Sequence, residues 1–348
     1  MPLSLNGQAL NPVTTVLIDV PVHQESADRL AKVPGLAVKF VDHPAEERRP
    51  LPSDLIRDVE ILFCTRPPTN FEEMSNLRLI QIASSGYSQL FGLDLVRRKV
   101  RACNARGVFD TPIAEWNLAM MVALARDLRG MIRNQEAHLW DRSATYQKEL
   151  RGSTLGFWGY GGIGRETARL AKAFGLTVHV LARGPVGRRE NVYALEKTGD
   201  PNGELPDRVF TTGEELKFLE GLDFLILALP LTKDTEGLLG ERELRALPRT
   251  AYLLNPARGP IVQEGALLRA LREGWIAGAA IDTHYQYPMP PDHPLWAFPN
   301  VIFTPHISGS SLSTHFSRRI WDIFLQNTDR YIKARPLLNE LTAAELSS

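Results

Sequence analysis

Two parts of this 348-residue chain carry residue types whose spacing could do chemistry. Gly159-Tyr160-Gly161-Gly162-Ile163-Gly164 fits the pattern G-x-G-x-x-G. It follows the apolar run STLGFWG and opens the amphipathic run GGIGRETARLAKAFG, so it joins an expected strand to an expected helix. In that context the glycines allow a tight turn, close approach of backbone to a pyrophosphate, and close helix–strand packing. The helix N-terminus adds unpaired N–H groups and a favourable dipole for the anion. An acid some twenty residues further on would hold the adenosine ribose hydroxyls. Here VHVLARGP puts Ala182 at that position and Arg183 after it, with Arg188 and Arg189 in the same loop. Alanine does not repel a 2′-phosphate, and a guanidinium can pair with one. The expectation is therefore a dinucleotide site that favours NADP(H), with NAD(H) possible. The second part comprises IDTHYQYP (281–288) and TPHISG (304–309). His306 sits there between a proline and a small-residue turn. A histidine that moves protons is usually oriented by a partner on its other nitrogen, often an acid. The acid within 281–288 is Asp282.

These residues need strands and helices to hold them. TVLIDV (15–20), AVKFV (37–41), EILFC (60–64), RLIQIA (78–83) and VRACN (100–104) read as strands, with helical patterns such as ESADRLAKV and LDLVRRK between them. A second alternating block starts near Ser153 and continues through TVHVLA, LDFLILAL, AYLLN, AGAAID and NVIFT. Strand–helix alternation implies α/β architecture, with parallel sheets covered on both faces. The segment 111–139 reads as one long helix with Pro112 in its first turn. Residues 184–212 read as a long loop, and roughly 311–334 as a final helix.

Composition narrows the function classes. Forty basic residues balance forty acidic ones, so no large basic field points to nucleic acid and no polybasic segment to a membrane. The longest apolar run, FLILALPL, is too short to span a bilayer. Cys64 and Cys103 are the only cysteines, which suits a reducing, cytoplasmic location, and the first residues lack the pattern of a signal peptide. His284, His293 and His315 have no partners at metal-ligand spacing, so no metal is expected.

Five ordered stretches resemble the D-isomer-specific 2-hydroxyacid dehydrogenases: LRLIQIASSGYSQL (77–90), the glycine turn, LALPLTKDTEGLLG (227–240), LLNPARGPIVQEGALLRALREGWIAGAAID (253–282) and HPLWAFPNVIFTPHISGSS (293–311). The resemblance implies two doubly wound parallel-sheet domains. Residues 1–107 and 308–348 would form a discontinuous, flavodoxin-like substrate domain, and 108–307 a Rossmann nucleotide-binding domain inserted in it. It also implies a homodimer built on the helix after residue 111, acting on a small 2-keto or 2-hydroxy carboxylate. Arg258 matches the arginine that grips the substrate carboxylate and keto oxygen, a task suited to a planar fork of donors. His306 matches the general acid/base. Ser84, Ser85 and Gly86 match the carboxylate-binding loop, and Asp282 an aspartate near the nicotinamide amide. Pro230 and Ala257 match backbone positions lining the cofactor cleft.

One motif departs from the family. Its usual form, D-V-F-x-x-E-P, places a glutamate against the histidine; here Tyr287 stands at that position. The formate dehydrogenase branch has glutamine there and shares the segment PMPPDHP (288–294). A phenol stabilises an imidazolium far less than a carboxylate does, so the charged form of His306 should be weakened. Tyr287 is expected to orient His306 or to offer its hydroxyl to the pocket. Three activities remain open: reduction of a 2-ketoacid or its reverse, oxidation of formate or another unusual hydride donor, and cofactor sensing by a weakly active or inactive binding protein.

Overall fold

The computed structural model describes residues 13–45, 47–143 and 147–347. Short runs of β-branched, leucine and aromatic residues form the strands: β1 (Thr14–Asp19), β2 (Leu36–Phe40), β3 (Ile61–Cys64), β4 (Leu79–Ile82), β5 (Arg101–Cys103), β6 (Thr154–Trp158), β7 (Thr177–Ala182), β8 (Arg208–Thr211), β9 (Phe224–Leu227), β10 (Tyr252–Asn255), β11 (Gly278–Ile281) and β12 (Val301–Phe303). The helices are α1 (Gln24–Ala31), α2 (Ser53–Ile56), α3 (Asp110–Ala125), α4 (Leu128–Glu136), α5 (Gly162–Ala173), α6 (Glu215–Leu219), α7 (Glu241–Ala246), α8 (Glu264–Arg272), α9 (Thr314–Ile332) and α10 (Ala343–Leu346). The chain divides into one unit of Met1–Val108, Glu190–Tyr193 and Ser311–Ser348, and another of Phe109–Arg189 and Ala194–Ser310.

The first unit is built on a five-stranded parallel sheet in the order β2-β1-β3-β4-β5, the flavodoxin-like winding. Every residue of β3 and β4 is buried, as expected of strands covered on both faces. One face packs Leu17, Leu62, Ile80 and Ile82 with Ile56 and Met74. On α9, Phe324 stacks on Phe63 at 4.3 Å between ring centroids, and Trp321 meets the same ring edge-on at 5.6 Å.

The second unit is built on a seven-stranded parallel sheet in the order β12-β11-β10-β9-β6-β7-β8. Strand order reverses between β6 and β9, and a crevice at the C-terminal ends of strands at such a point is where doubly wound sheets bind ligands. Two clusters sandwich this sheet. One holds Phe157, Val178, Phe224 and Leu254 with α3 and α5; the other holds Leu225, Leu253, Ile281 and Trp275 with α6, α7 and α8.

Three elements depart from the sequence expectations. The segment 111–139 is not one helix. Asp127 adopts a left-handed conformation (φ 48°) and accepts a hydrogen bond from Gly130, so α3 stops at Ala125 and a separately capped α4 begins. LDLVRRK (93–99) forms turns, bracketed by left-handed Asp94 and Lys99. The end of the expected 184–212 loop adds an edge strand, β8, paired to β7. Among the described residues, no helix is long and apolar enough to cross a membrane.

Candidate active site

The glycine turn leaves β6 at the point of strand-order reversal. Gly159 has φ 91°, and a Cβ there would lie 2.6 Å from the Ala228 carbonyl oxygen, so only glycine fits. Around Gly161 a Cβ would meet nothing within 4 Å, which leaves open space above the start of α5. Gly162 lies against the Asp110 carboxylate, and a Cβ at Gly164 would lie 3.3 Å from the Gly159 carbonyl oxygen. Ile163 enters the first turn of α5, where its carbonyl accepts from Thr167. The adjoining cavity measures about 260 Å³ and is lined by Gly159, Tyr160, Gly161, Ala182, Arg183 and Pro230, among others. Its shape and its N–H-bearing rim suit the adenosine and phosphates of a dinucleotide.

Two features of this cavity were not read from the sequence. Glu215, at the start of α6, also lines it and accepts from the Gly213 N–H at 2.8 Å. A carboxylate thus enters the adenosine region from β8–α6 rather than from the end of β7. Tyr160 turns its hydroxyl inward and donates to Asp200 at 2.8 Å; burial, then Asp200, pushes the phenol far above its ordinary range and keeps it a donor. Arg165 on α5 donates to the carbonyls of Asp200 and Gly187. The long loop after β7 is therefore tied to the glycine turn.

Arg258 follows β10, Asp282 follows β11 and His306 follows β12. These are neighbouring parallel strands, so all three residues leave the same edge of the sheet. Asn255 shapes the Arg258 turn by donating to the Arg258 carbonyl at 2.9 Å and accepting from Ala257 N–H at 3.1 Å. The Arg258 guanidinium is exposed and donates to the Ala257 carbonyl at 2.6 Å. Gly259 permits close packing: a Cβ there would meet the His284 carbonyl at 2.5–2.6 Å.

His306 sits in a left-handed conformation (φ 58°), and its N–H donates to the Thr304 carbonyl at 3.0 Å. Asp282 is fully buried. Its carboxylate accepts from Thr304 Oγ1 at 2.6 Å, Ile307 N–H at 2.9 Å and Ser308 N–H at 3.0 Å. It therefore braces the turn that carries His306, leaving at most a single lone pair for a nicotinamide amide. Among the described residues no side chain hydrogen-bonds the His306 ring nitrogens. Tyr287 lies beside that ring at 5.6 Å between centroids, but its hydroxyl accepts from the His284 N–H at 3.1 Å. Desolvation by the surrounding turn, then the Arg258 guanidinium, holds His306 below the ordinary histidine range; Asp282 opposes this and His284 adds to it.

In the other unit, Ser84, Ser85 and Gly86 follow β4. Ser84 Oγ donates to the Gly86 carbonyl at 2.7 Å and accepts from Gln89, and Ser85 Oγ donates to the Ala105 carbonyl at 3.3 Å. The hydroxyls shape the loop, while the N–H groups of Ser85 and Gly86 have no acceptor among the described residues. The described residues contain no cluster of histidine, cysteine and acidic side chains able to hold a metal.

Comparison with known proteins places this geometry. Residues 118–308 match the D-isomer specific 2-hydroxyacid dehydrogenase, NAD binding domain, family model. A glyoxylate reductase of Thermofilum pendens is 32% identical over 300 residues, covering 82% of this chain and 84% of that protein. A D-isomer specific 2-hydroxyacid dehydrogenase family protein from Aeromonas salmonicida superposes with a TM-score of 0.75 at 29% identity, covering 95% of this chain and 99% of that one. A D-isomer specific 2-hydroxyacid dehydrogenase from Xanthobacter autotrophicus, solved with NADPH, superposes at 0.72 with 26% identity, covering 94% and 99%. The chain belongs to the D-isomer-specific 2-hydroxyacid dehydrogenase family and is an NAD(P)-dependent oxidoreductase of that family.

Proposed function

We propose that this enzyme reduces a small 2-ketoacid to the D-2-hydroxyacid, with Arg258 gripping the substrate and His306 supplying the proton. The supporting observation is one sheet edge that carries a glycine turn, an exposed guanidinium and an imidazole whose proton affinity is lowered by desolvation and then by that guanidinium's charge. When bound, the nicotinamide supplies a hydride to the carbonyl carbon. Arg258 pairs with the carboxylate and polarises the keto oxygen through two N–H donors. His306, protonated, hands its proton to that oxygen as negative charge develops there. Asp282 holds the His306 turn, and Ser84, Ser85 and Gly86 offer backbone N–H groups to the carboxylate. Relatives named glyoxylate reductase support a small substrate.

NADPH is the proposed cofactor, because Ala182 and Arg183 face the adenosine cavity without an acid at the end of β7. Glu215 works against that preference. The proposed assembly is a homodimer through α3 and α4. No residue of α4 is buried, Leu128, Met131 and Ile132 are 45%, 41% and 47% exposed, and Trp140 is 88% exposed. Leu128 and Ile132 border an apolar cavity of about 450 Å³ lined also by Met120, Ile302 and Phe303. Sedimentation at micromolar concentration should give twice the chain mass. Both cysteines are buried and unpaired, in keeping with a cytoplasmic location.

The test is a panel of glyoxylate, hydroxypyruvate and a bulkier 2-ketoacid with NADPH and NADH. Saturable reduction with higher kcat/KM for NADPH is the expected result. Turnover of formate with NAD(P) and none of the ketoacids would reject the reading, and so would cofactor binding without any turnover.

A further inference from the structure

We infer that His284 is a positioning residue for His306: its neutral imidazole hydrogen-bonds the Thr304 carbonyl and so holds the turn that presents the acid–base histidine. This rests on the acid–base reading of His306 given above.

His284 is only 5% exposed, and a buried imidazole is costly unless its polar atoms are used. Nε2 lies 2.7 Å from the Thr304 carbonyl oxygen. A carbonyl can only accept, so Nε2 carries the proton and Nδ1 the lone pair. Nδ1 is buried and has no partner among the described residues. A second proton there would find no acceptor, so the ring stays neutral. Burial lowers its proton affinity in the same direction, reinforced by His293 and opposed by the Thr304 bond and Asp282.

Thr304 is the residue on which the turn depends. Its carbonyl accepts from both His284 and the His306 N–H, and its hydroxyl donates to Asp282. Asp282 also receives the N–H groups of Ile307 and Ser308. His306 is thus fixed from both sides, by His284 at 304 and by Asp282 at 307–308. That double fixation matters because a left-handed histidine is a strained conformation that persists only where its surroundings impose it.

His284 is itself held on three sides. Its ring stacks on Phe303 at 4.1 Å and 19°, its N–H donates to the Tyr287 hydroxyl, and its carbonyl packs against Gly259, next to Arg258. It therefore touches the turns of Arg258 and His306 together. In the family form D-V-F-x-x-E-P, His284 and Tyr287 stand at the phenylalanine and glutamate positions. The two departures are hydrogen-bonded to each other. They replace a charge against the imidazole with neutral bonds to the backbone around it.

The experiment compares His284→Phe, which keeps the aromatic ring, with His284→Gln, which keeps a donor. Amide hydrogen exchange at residues 304–308 of the ligand-free protein is read beside kcat, KM and NADPH affinity. His284→Phe should speed exchange at His306 and lower kcat by about 10- to 100-fold, the cost of a misplaced catalytic group, with KM and NADPH affinity unchanged. His284→Gln should recover most of both. Wild-type exchange and kcat in His284→Phe would overturn the inference, as would a His284→Gln variant no better than His284→Phe. If the wild-type enzyme turned over no ketoacid, the proposed function would fall, while exchange would still decide whether His284 holds the turn.

Discussion

The glycine turn at 159–164 and the turns around Asp282 and Thr304–Ser308 leave the same sheet edge, yet they are built differently. The first is a backbone device. Gly159 is required by a positive φ and by the Ala228 carbonyl, and the anion would be met by main-chain N–H groups. The second is a side-chain device. Asp282, His284, Thr304 and Tyr287 share the task of holding one imidazole, and no side chain among the described residues bonds its nitrogens. A backbone device tolerates few sequences, because sterics dictate each residue. A side-chain device can change its members while keeping its result.

Replacing the proposed proton donor should have the largest effect. His306→Asn is expected to lower kcat roughly 100- to 10,000-fold, the range of general acid catalysis, while NADPH binding followed by fluorescence stays intact. A loss below tenfold would remove His306 from the chemistry. Gly159→Ala attacks the backbone device. The added methyl would press on the Ala228 carbonyl in a strained conformation. Unfolding in denaturant should show a loss of about 1–3 kcal/mol together with weakened cofactor binding. Unchanged stability and affinity would mean that the turn relaxes at no cost.

Restoring a carboxylate sharpens the comparison. In the double variant His284→Phe, Tyr287→Glu, an anion beside His306 should raise its pKa. In the proposed mechanism reduction uses the protonated imidazole, so its rate would then persist to higher pH than in the wild type. An unmoved pH profile would show that position 287 does not sense the imidazole. The smallest effect is expected at Glu215→Gln, where removing a carboxylate from the adenosine cavity should favour NADPH over NADH. A half-buried charge open to solvent on one side is worth about 1 kcal/mol, so the gain should be about fivefold at most.

The same division explains what could be read from the sequence. The strands appear as short apolar runs because they are buried on both faces, and the glycine turn appears as a pattern because only glycine meets its steric demands. The break at Asp127 escaped because both halves are helical in period and a left-handed aspartate leaves no periodic trace. LDLVRRK has helical composition but is confined to turns by its left-handed ends. The edge strand β8 pairs on one side only, and its largely exposed residues carry no apolar run. His284 and Glu215 stayed silent for another reason. Each acquires meaning from residues distant in sequence, Thr304 and the β7 end respectively, and a single chain without its fold does not bring them together.

His306 is proposed to work as the acid without a carboxylate against its ring. The most direct test is the pH dependence of kcat/KM for 2-ketoacid reduction by the wild-type enzyme. Desolvation and Arg258 hold the imidazole below the ordinary histidine value of about 6.5. The rate should therefore be greatest at low pH and fall through a midpoint below that value. A midpoint above pH of about 7, or a rate that stays flat through neutrality, would contradict the claim.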